Sequence, residues 1–288
     1  MGKIVYGTAY AGKLRFSLLD GTDFVDFARK QHGLSYLPTV VLGRLLVAAG
    51  LVCPWLSERE MITFVLSGDG PAGSVSAQAN SKFTVRGYIT NKQFELERNE
   101  LGKFDVRSAV GKGTLTVVRD VGLRNPMISK VPIVSGEIAE DVAYYFTVSE
   151  QIPSAFALGV LMNKDGVIRA GGVAIQVLDR SIDEGILKKI ENKMQDFSIT
   201  SSLGSSTLEE LAAWLLETNE LIIENSNVMF HCGCSKDKAR DALLVLSKDD
   251  MLGLIAEGKA EVTCKWCSSV YVFEKDELID LLRNFDRD

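Results

Sequence analysis

Over residues 3–20 apolar and polar positions alternate, with Leu14, Phe16 and Leu18 on one face, which predicts two strands around a turn at Ala11-Gly12. The period then lengthens. Thr22 reads as the N-cap of a helix through Phe24, Phe27 and Ala28 that ends near Gly33, and Pro38 opens an apolar helix from Thr39 to about Val52. Alternation returns at Met61–Ser67, Val75–Ala79 and Phe83–Ile89, and short apolar runs at 115–118 and 131–134 predict further strands. Residues 140–150 carry Val142, Tyr145 and Phe146 at helical spacing, and Pro153 stops that helix. Two strands follow, at 155–162 and 167–178, around Asn163-Lys164-Asp165-Gly166, with Gly171-Gly172 read as a bulge. Residues 1–178 are therefore expected to form one large mixed α/β domain.

From Asp179 the pattern changes to amphipathic helices. Ile182, Ile186, Ile190 and Met194 recur every four residues, with Leu187 and Phe197 widening the stripe. Ser198–Ser206 reads as a flexible joint. Thr207 and Glu210 then form a capping box ahead of Leu208, Leu211, Trp214 and Leu215. The stretch 179–223 is too short to bury these stripes by itself, so it must dock on another surface, either permanently or as a detachable linker. Residues 224–288 complete an α+β chain: a strand-like approach through Val228 and Phe230, helices near 236–246 and 249–256, a small hairpin at 261–273 and a closing helix near 276–283.

Composition adds little to the fold but narrows the chemistry. At 288 residues and 46% apolar content the chain can build one large domain and a smaller one. It lacks a run of about 18 apolar residues and a signal-peptide pattern, so a cytoplasmic protein with no membrane partner is expected. The net charge of −6 is uneven: residues 1–178 carry 16 acids against 19 bases, 179–223 carry 9 against 4, and 224–288 carry 13 against 9. An acidic tail argues against nucleic-acid binding, which needs a basic face.

Two phosphate-binding motifs are mimicked and dismissed. Gly68-Asp69-Gly70-Pro71-Ala72-Gly73 matches G-x-G-x-x-G, but the following residues alternate as a strand where the dinucleotide fingerprint needs a helix, so a hairpin loop is expected. Gly111-Lys112-Gly113-Thr114 lacks the remaining elements of a P-loop, so no nucleotide partner follows. With only His32 and His231 and no nucleophile motif, no catalytic constellation is present and an enzyme is not expected.

The informative chemistry lies in the cysteines. Cys53 sits among apolar neighbours and reads as a buried core thiol. Cys232-Gly233-Cys234 and Cys264-Lys265-Trp266-Cys267 are two close-spaced pairs with 29 residues between them, a pattern suited to one tetrahedral zinc ion. His231 stands beside the first pair but is not needed as a ligand. A segment of some 60 residues has little core, and structural zinc contributes roughly 10 to 16 kcal/mol of apparent folding free energy in small metal peptides. Against a usual domain stability of about 5 to 15 kcal/mol, losing the metal should unfold it. Oxidants convert thiolates to sulfenic acid or disulfide and so remove the ligands. The expected product is exposed apolar surface that binds unfolded polypeptides. Two other readings stand beside this one, a zinc-dependent nucleic-acid-associated module and a thiol-disulfide oxidoreductase built on Cys264–Cys267.

Cys-Gly-Cys followed by the residues Ser235–Leu243, and the later Cys-Lys-Trp-Cys, resemble the redox-regulated bacterial chaperone family known as heat shock protein 33. The likeness extends to Gly68–Pro71, Ser149–Pro153, Ala170–Gly172 and Gln176-Val177. It implies an ATP-independent holdase for unfolded client proteins, cytoplasmic, inactive when reduced and zinc-bound, and dimeric when active. It also implies Cys232, Cys234, Cys264 and Cys267 as zinc ligands, and disulfides Cys232–Cys234 and Cys264–Cys267 on oxidation, the more C-terminal pair responding first. Residues before the zinc segment would be a metastable linker. Cys53 has no counterpart in that motif.

Overall fold

The computed structural model describes residues 1–100 and 102–285, the last two by backbone only. It divides into two compact units, Met1–His231 and Cys232–Asp288.

The first unit is built on one large sheet. Its strands are β1 (Gly2–Ala9), β2 (Leu14–Asp20), β3 (Met61–Gly68), β4 (Ser74–Asn80), β5 (Thr84–Ile89), β6 (Gly113–Asp120), β7 (Met127–Pro132), β8 (Ser154–Asn163), β9 (Gly166–Val177) and β10 (Leu221–Phe230). They lie in the order β7-β6-β3-β4-β5-β10-β1-β2-β9-β8. The hairpins are antiparallel and local; β10 joins the halves. It runs antiparallel to β1 from Gly2↔Val228 to Ala9↔Leu221, and its last two residues pair in parallel with Thr84 and Val85 of β5. Leu221–Phe230 therefore belongs to the large sheet, and the division between units falls after His231 rather than at residue 224. Backbone pairing across eight registered positions holds the segment there, although its exposed Asn225 and Asn227 and its half-buried Ser226 carry no strand signal.

Two helices, α1 (Thr22–His32) and α2 (Tyr36–Val52), cover the sheet. α2 is apolar all round, and 15 of its 17 residues are buried. A helix of that composition is stable in water only as a core element. It is also the one described helix long and apolar enough to cross a bilayer, but 89% of that span is buried inside the fold. Its only charge, Arg44, pairs with Glu137 at 2.6 Å. Cys53 follows α2 and is buried, and burial pushes its thiol up to about 12, so it stays protonated and inert.

The short helix α3 (Val106–Val110), capped by the Asp105 side chain, and α4 (Ala139–Val148) complete this layer. α4 delivers Tyr145 to a buried polar cluster. Glu60, only 1% exposed, accepts from Arg119 Nε and Nη2 at 2.8 and 2.6 Å; Arg119 Nη1 donates to Glu150 at 2.6 Å, and Tyr145 donates to the same carboxylate. Each buried charge thus has a partner of opposite sign.

Glycines at two places mark close approach. A Cβ at Gly68 or Gly70 would lie 1.9 or 2.4 Å from the carbonyl oxygens of Val110 and Ala109 at the end of α3, so the Gly68–Gly73 loop is a β3–β4 connection packed on backbone and followed by a strand instead of a helix. Gly171 and Gly172 pair in register with Asp20 and Leu19, so they are not a bulge; the irregularity in that hairpin is at Leu161/Met162. They are glycine because a Cβ would meet Leu19 O at 2.4 Å or the Leu158 and Leu51 side chains near 2.8 Å.

The opposite face of β1, β2 and β9 is covered by the linker. α5 (Glu184–Asp196), α6 (Ile199–Ser202) and α7 (Leu208–Leu216) pack on it. Ile182 and Ile190 are buried there beside Leu14, Phe16, Leu18 and Val173, with Ile186 and Met194 half-buried against them. The four stripe residues thus lie in or against this cluster, with Ile182 just ahead of the helix. The segment 198–206 is more ordered than a joint, because Ile199 and Leu203 are buried in the same cluster. Trp214 stays 49% exposed, outside the cluster, where Lys193 lies over its ring.

The capping box is present: Thr207 Oγ1 accepts from Glu210 N at 3.2 Å and Glu210 Oε2 accepts from Thr207 N at 2.9 Å. Thr207→Ala is expected to cost about 1 kcal/mol. The loss should be local, read as faster amide exchange in the first turn of α7 with little change elsewhere; unchanged exchange there would refute it.

The second unit contains α8 (Lys236–Leu243), α9 (Lys248–Glu257), the hairpin β11 (Lys259–Thr263) and β12 (Val270–Glu274), and α10 (Lys275–Phe285). Its core is small: Ala239, Leu243, Met251, Ala260, Phe273, Leu278 and Leu281.

Candidate metal centre

Two turns of the second unit present the four clustered cysteines. Cys232-Gly233-Cys234 immediately precedes α8, whose N-cap Ser235 accepts from Lys238 N at 3.2 Å and so fixes where the chain turns into the helix. Gly233 is not demanded by crowding: a Cβ there would have only Lys238 Nζ within 4 Å, at 3.7 Å. Cys264–Cys267 lies in the turn of the β11–β12 hairpin. That turn is closed by Cys264 N donating to Ser269 O at 2.8 Å and Ser268 N donating to Cys264 O at 2.7 Å. Cys264-x-x-Cys267 is thus in a β-hairpin and not at a helix N-terminus, the position from which disulfide oxidoreductases take their activated thiol.

The four sulfurs lie within 4.8 Å of one another and none is in a disulfide. Cys232 and Cys264 are 3.7 Å apart, Cys234 and Cys267 3.4 Å. Four thiolates at about 2.3 Å from a tetrahedral zinc ion would be separated by about 3.8 Å, whereas a disulfide needs about 2.05 Å. The spacing therefore fits a common metal ion, to which each turn would supply two ligands. The group of metal-capable side chains contains the four cysteines and not His231, whose backbone N–H donates to Val85 O at 2.9 Å in the first unit.

The surroundings temper four sulfurs at close range. Burial works against the Cys267 thiolate, but hydrogen bonding to the Ser269 side chain and backbone and to the Cys234 and Cys264 thiols outweighs it, bringing Cys267 down to about 7. Cys264 is pushed upward, chiefly by burial. Tyr271 Oη donates to Cys234 Sγ at 3.1 Å, and the Lys238 ammonium donates to Gly233 O, placing positive charge beside the first turn. Such contacts orient ligands and offset the excess negative charge of a tetrathiolate. Sequence spacing identified the four thiols; Tyr271, Ser269 and Lys238 carried no signal beyond their proximity in the chain.

Comparison with known proteins places this arrangement. The family described as Hsp33 protein matches residues 2–274. The chain is 48% identical over 281 residues to the 33 kDa chaperonin of Thermotoga maritima, covering 97% of each. To the 33 kDa chaperonin of Bacillus subtilis it is 39% identical over 283 residues, covering 96% of this chain and 97% of the other. A crystal structure of the Thermotoga maritima 33 kDa chaperonin, described as a heat shock protein 33 homolog, matches with a TM-score of 0.96 at 47% identity over 99% of both chains.

Proposed function

The chain belongs to the Hsp33 family, and from that premise we propose that it is a redox-regulated, ATP-independent holdase of the bacterial cytoplasm that binds unfolding proteins under oxidative and heat stress. The observation that carries the reading is the set of four thiols brought together by two turns within 4.8 Å. In the reduced protein Cys232, Cys234, Cys264 and Cys267 hold one zinc ion. The ion supplies the folding free energy that seven buried side chains cannot provide alone.

A two-electron oxidant such as peroxide converts one thiolate to a sulfenic acid. A second thiolate displaces its oxygen as water, forming the S–S bond. Two such events give Cys232–Cys234 and Cys264–Cys267, and no thiolate remains as a ligand. Residues 232–288 then unfold. The linker 179–223 runs into β10, which begins at Leu221 and leads through His231 into Cys232, so disorder in the second unit has a continuous chain path back to it. Release of the linker bares the apolar face around Leu14, Phe16 and Leu18 together with its own stripe, Ile182, Ile186, Ile190 and Met194. That surface, and its counterpart in a second copy of the active dimer, holds clients through apolar contact with no nucleotide.

The test is light scattering of a chemically unfolded client diluted into the protein without ATP. Suppression of aggregation is expected only after peroxide treatment under mild heat, with mass spectrometry finding the two local disulfides. Equal suppression by the reduced, zinc-loaded protein would overturn the switch and leave the metal purely structural.

A further inference from the structure

A cleft in the Met1–His231 unit is distinct from the cysteine centre and unexplained by it. It holds about 350 Å³ and lies where α2, β8 and the chain leaving α5 meet. Residues 157–162 of β8 form an apolar floor and Phe197–Thr200 of the linker form one wall. Three lining side chains are cationic, Arg44, Arg98 and Lys103, and none of the lining residues is acidic. Small-molecule sites have this make-up: a concave apolar surface of about 300–1,000 Å³ with a few placed polar groups.

The cations are held in position. An antiparallel bridge joins Arg98 to Phe104, Asn99 N donates to Lys103 O at 2.9 Å, and Lys103 N donates to Asn99 Oδ1 at 2.9 Å. The Arg98 guanidinium lies 3.7 Å over the Phe104 ring. Arg44 gives Nη1 to Glu137, yet its buried Nε has no hydrogen-bond partner. Neither Arg98 nor Lys103 is in an ion pair among the described residues. A concave apolar surface with cations of one sign focuses field on an anionic head group.

We infer that this cleft binds a small amphiphilic anion, an aliphatic carboxylate of medium length. Its chain lies along β8 and Phe197, and its carboxylate meets Arg98 and Lys103. Because one wall is linker and the others are β8, α2 and residues of the 98–104 loop, the ligand is bound only while the linker is docked. It therefore stabilises the docked form in proportion to its saturation. This regulatory half rests on the holdase reading above; the binding half does not.

The test uses reduced, zinc-loaded full-length protein and sodium decanoate below its micellar concentration, followed by isothermal titration calorimetry and amide exchange. One saturable site is expected, weakened about tenfold by the double substitution Arg98→Gln with Lys103→Gln. Both side chains are exposed, so unchanged circular dichroism is expected to show that the variant folds. Decanoate should slow exchange across 197–203. Absence of saturable heat, equal affinity in the double variant, or equal binding of decyltrimethylammonium would each overturn the site. Saturable, charge-dependent binding without added protection at 197–203 would overturn the coupling to the linker. None of these readouts uses oxidant or client, so their failure is distinct from failure of the chaperone assay.

Discussion

Cys264→Ser is expected to cut bound zinc from one per chain to a small fraction and to unfold residues 232–288 while residues 1–231 stay folded. The reason is the imbalance between the second unit's small core and the folding free energy that a metal at the four thiols would supply. Among the described residues a core cluster of seven buried side chains, of which two are alanine, serves two helices, a two-stranded hairpin and a closing helix. A segment this short buries too little of its surface to be stable unaided. A structural zinc ion contributes roughly 10 to 16 kcal/mol in small peptides, several times the margin such a core could supply. Removing one of four thiolates leaves the ion one strong donor short, because a neutral serine hydroxyl is a much poorer zinc ligand, so the remaining three sulfurs hold the ion more weakly. Zinc stoichiometry with a chromogenic chelator, and amide exchange over α8, α9 and α10, would measure the two effects. Full zinc content with unchanged exchange would remove Cys264 from the ligand set. Because Cys53 is buried and its thiol is pushed up to about 12, it offers no substitute ligand.

The second large effect is expected from Ile190→Asp. Ile190 is 4% exposed and belongs to the cluster that includes Leu14, Phe16, Leu18 and Val173 on the sheet and Leu211 and Leu215 of α7. Lys193, one turn along, is already engaged with Glu217 and with the Trp214 carbonyl and ring. Burying a new carboxylate uncompensated would cost several kcal/mol, more than the loss of the isoleucine contacts alone. Undocking is the cheaper response, since α5 is amphipathic and its outer face already meets water. The variant should therefore suppress client aggregation while reduced and zinc-loaded, and bind an apolar dye strongly in the same state. Glu191→Gln, one residue along on the exposed face, should behave as the parent protein does. If Ile190→Asp remained dependent on oxidant, linker docking would not be what keeps the reduced protein inactive.

Both expectations depend on features of unequal legibility. The four clustered thiols could be read from spacing alone, because a tetrahedral ion would take two sulfurs from each tight turn and so would leave a local signature in the chain. The stripe through Ile182, Ile186, Ile190 and Met194 was equally plain, since helical periodicity is a local property. What it docks on was not. Leu14, Phe16 and Leu18 alternate as any half-buried strand does, and periodicity says that the face is covered without saying by what. Likewise the Gly171-Gly172 pair reads as a bulge, whereas the structure shows in-register pairing with the backbone and side chains of β2 and its neighbours pressed against both Cα atoms.

By itself, the amino-acid sequence determined the local elements, the four thiols and the class of ion they suit, and the amphipathic linker, because each rests on neighbours within a few residues. Tertiary structure alone decided the place of β10. Its Glu224-Asn225-Ser226-Asn227 run has poor strand propensity and mostly exposed side chains. Hydrogen bonds to β1 and β5, strands more than a hundred residues away, hold it in the sheet and join the sheet's two halves. Backbone groups carry that pairing, and backbone groups are the same in every residue, so no side-chain pattern could announce it.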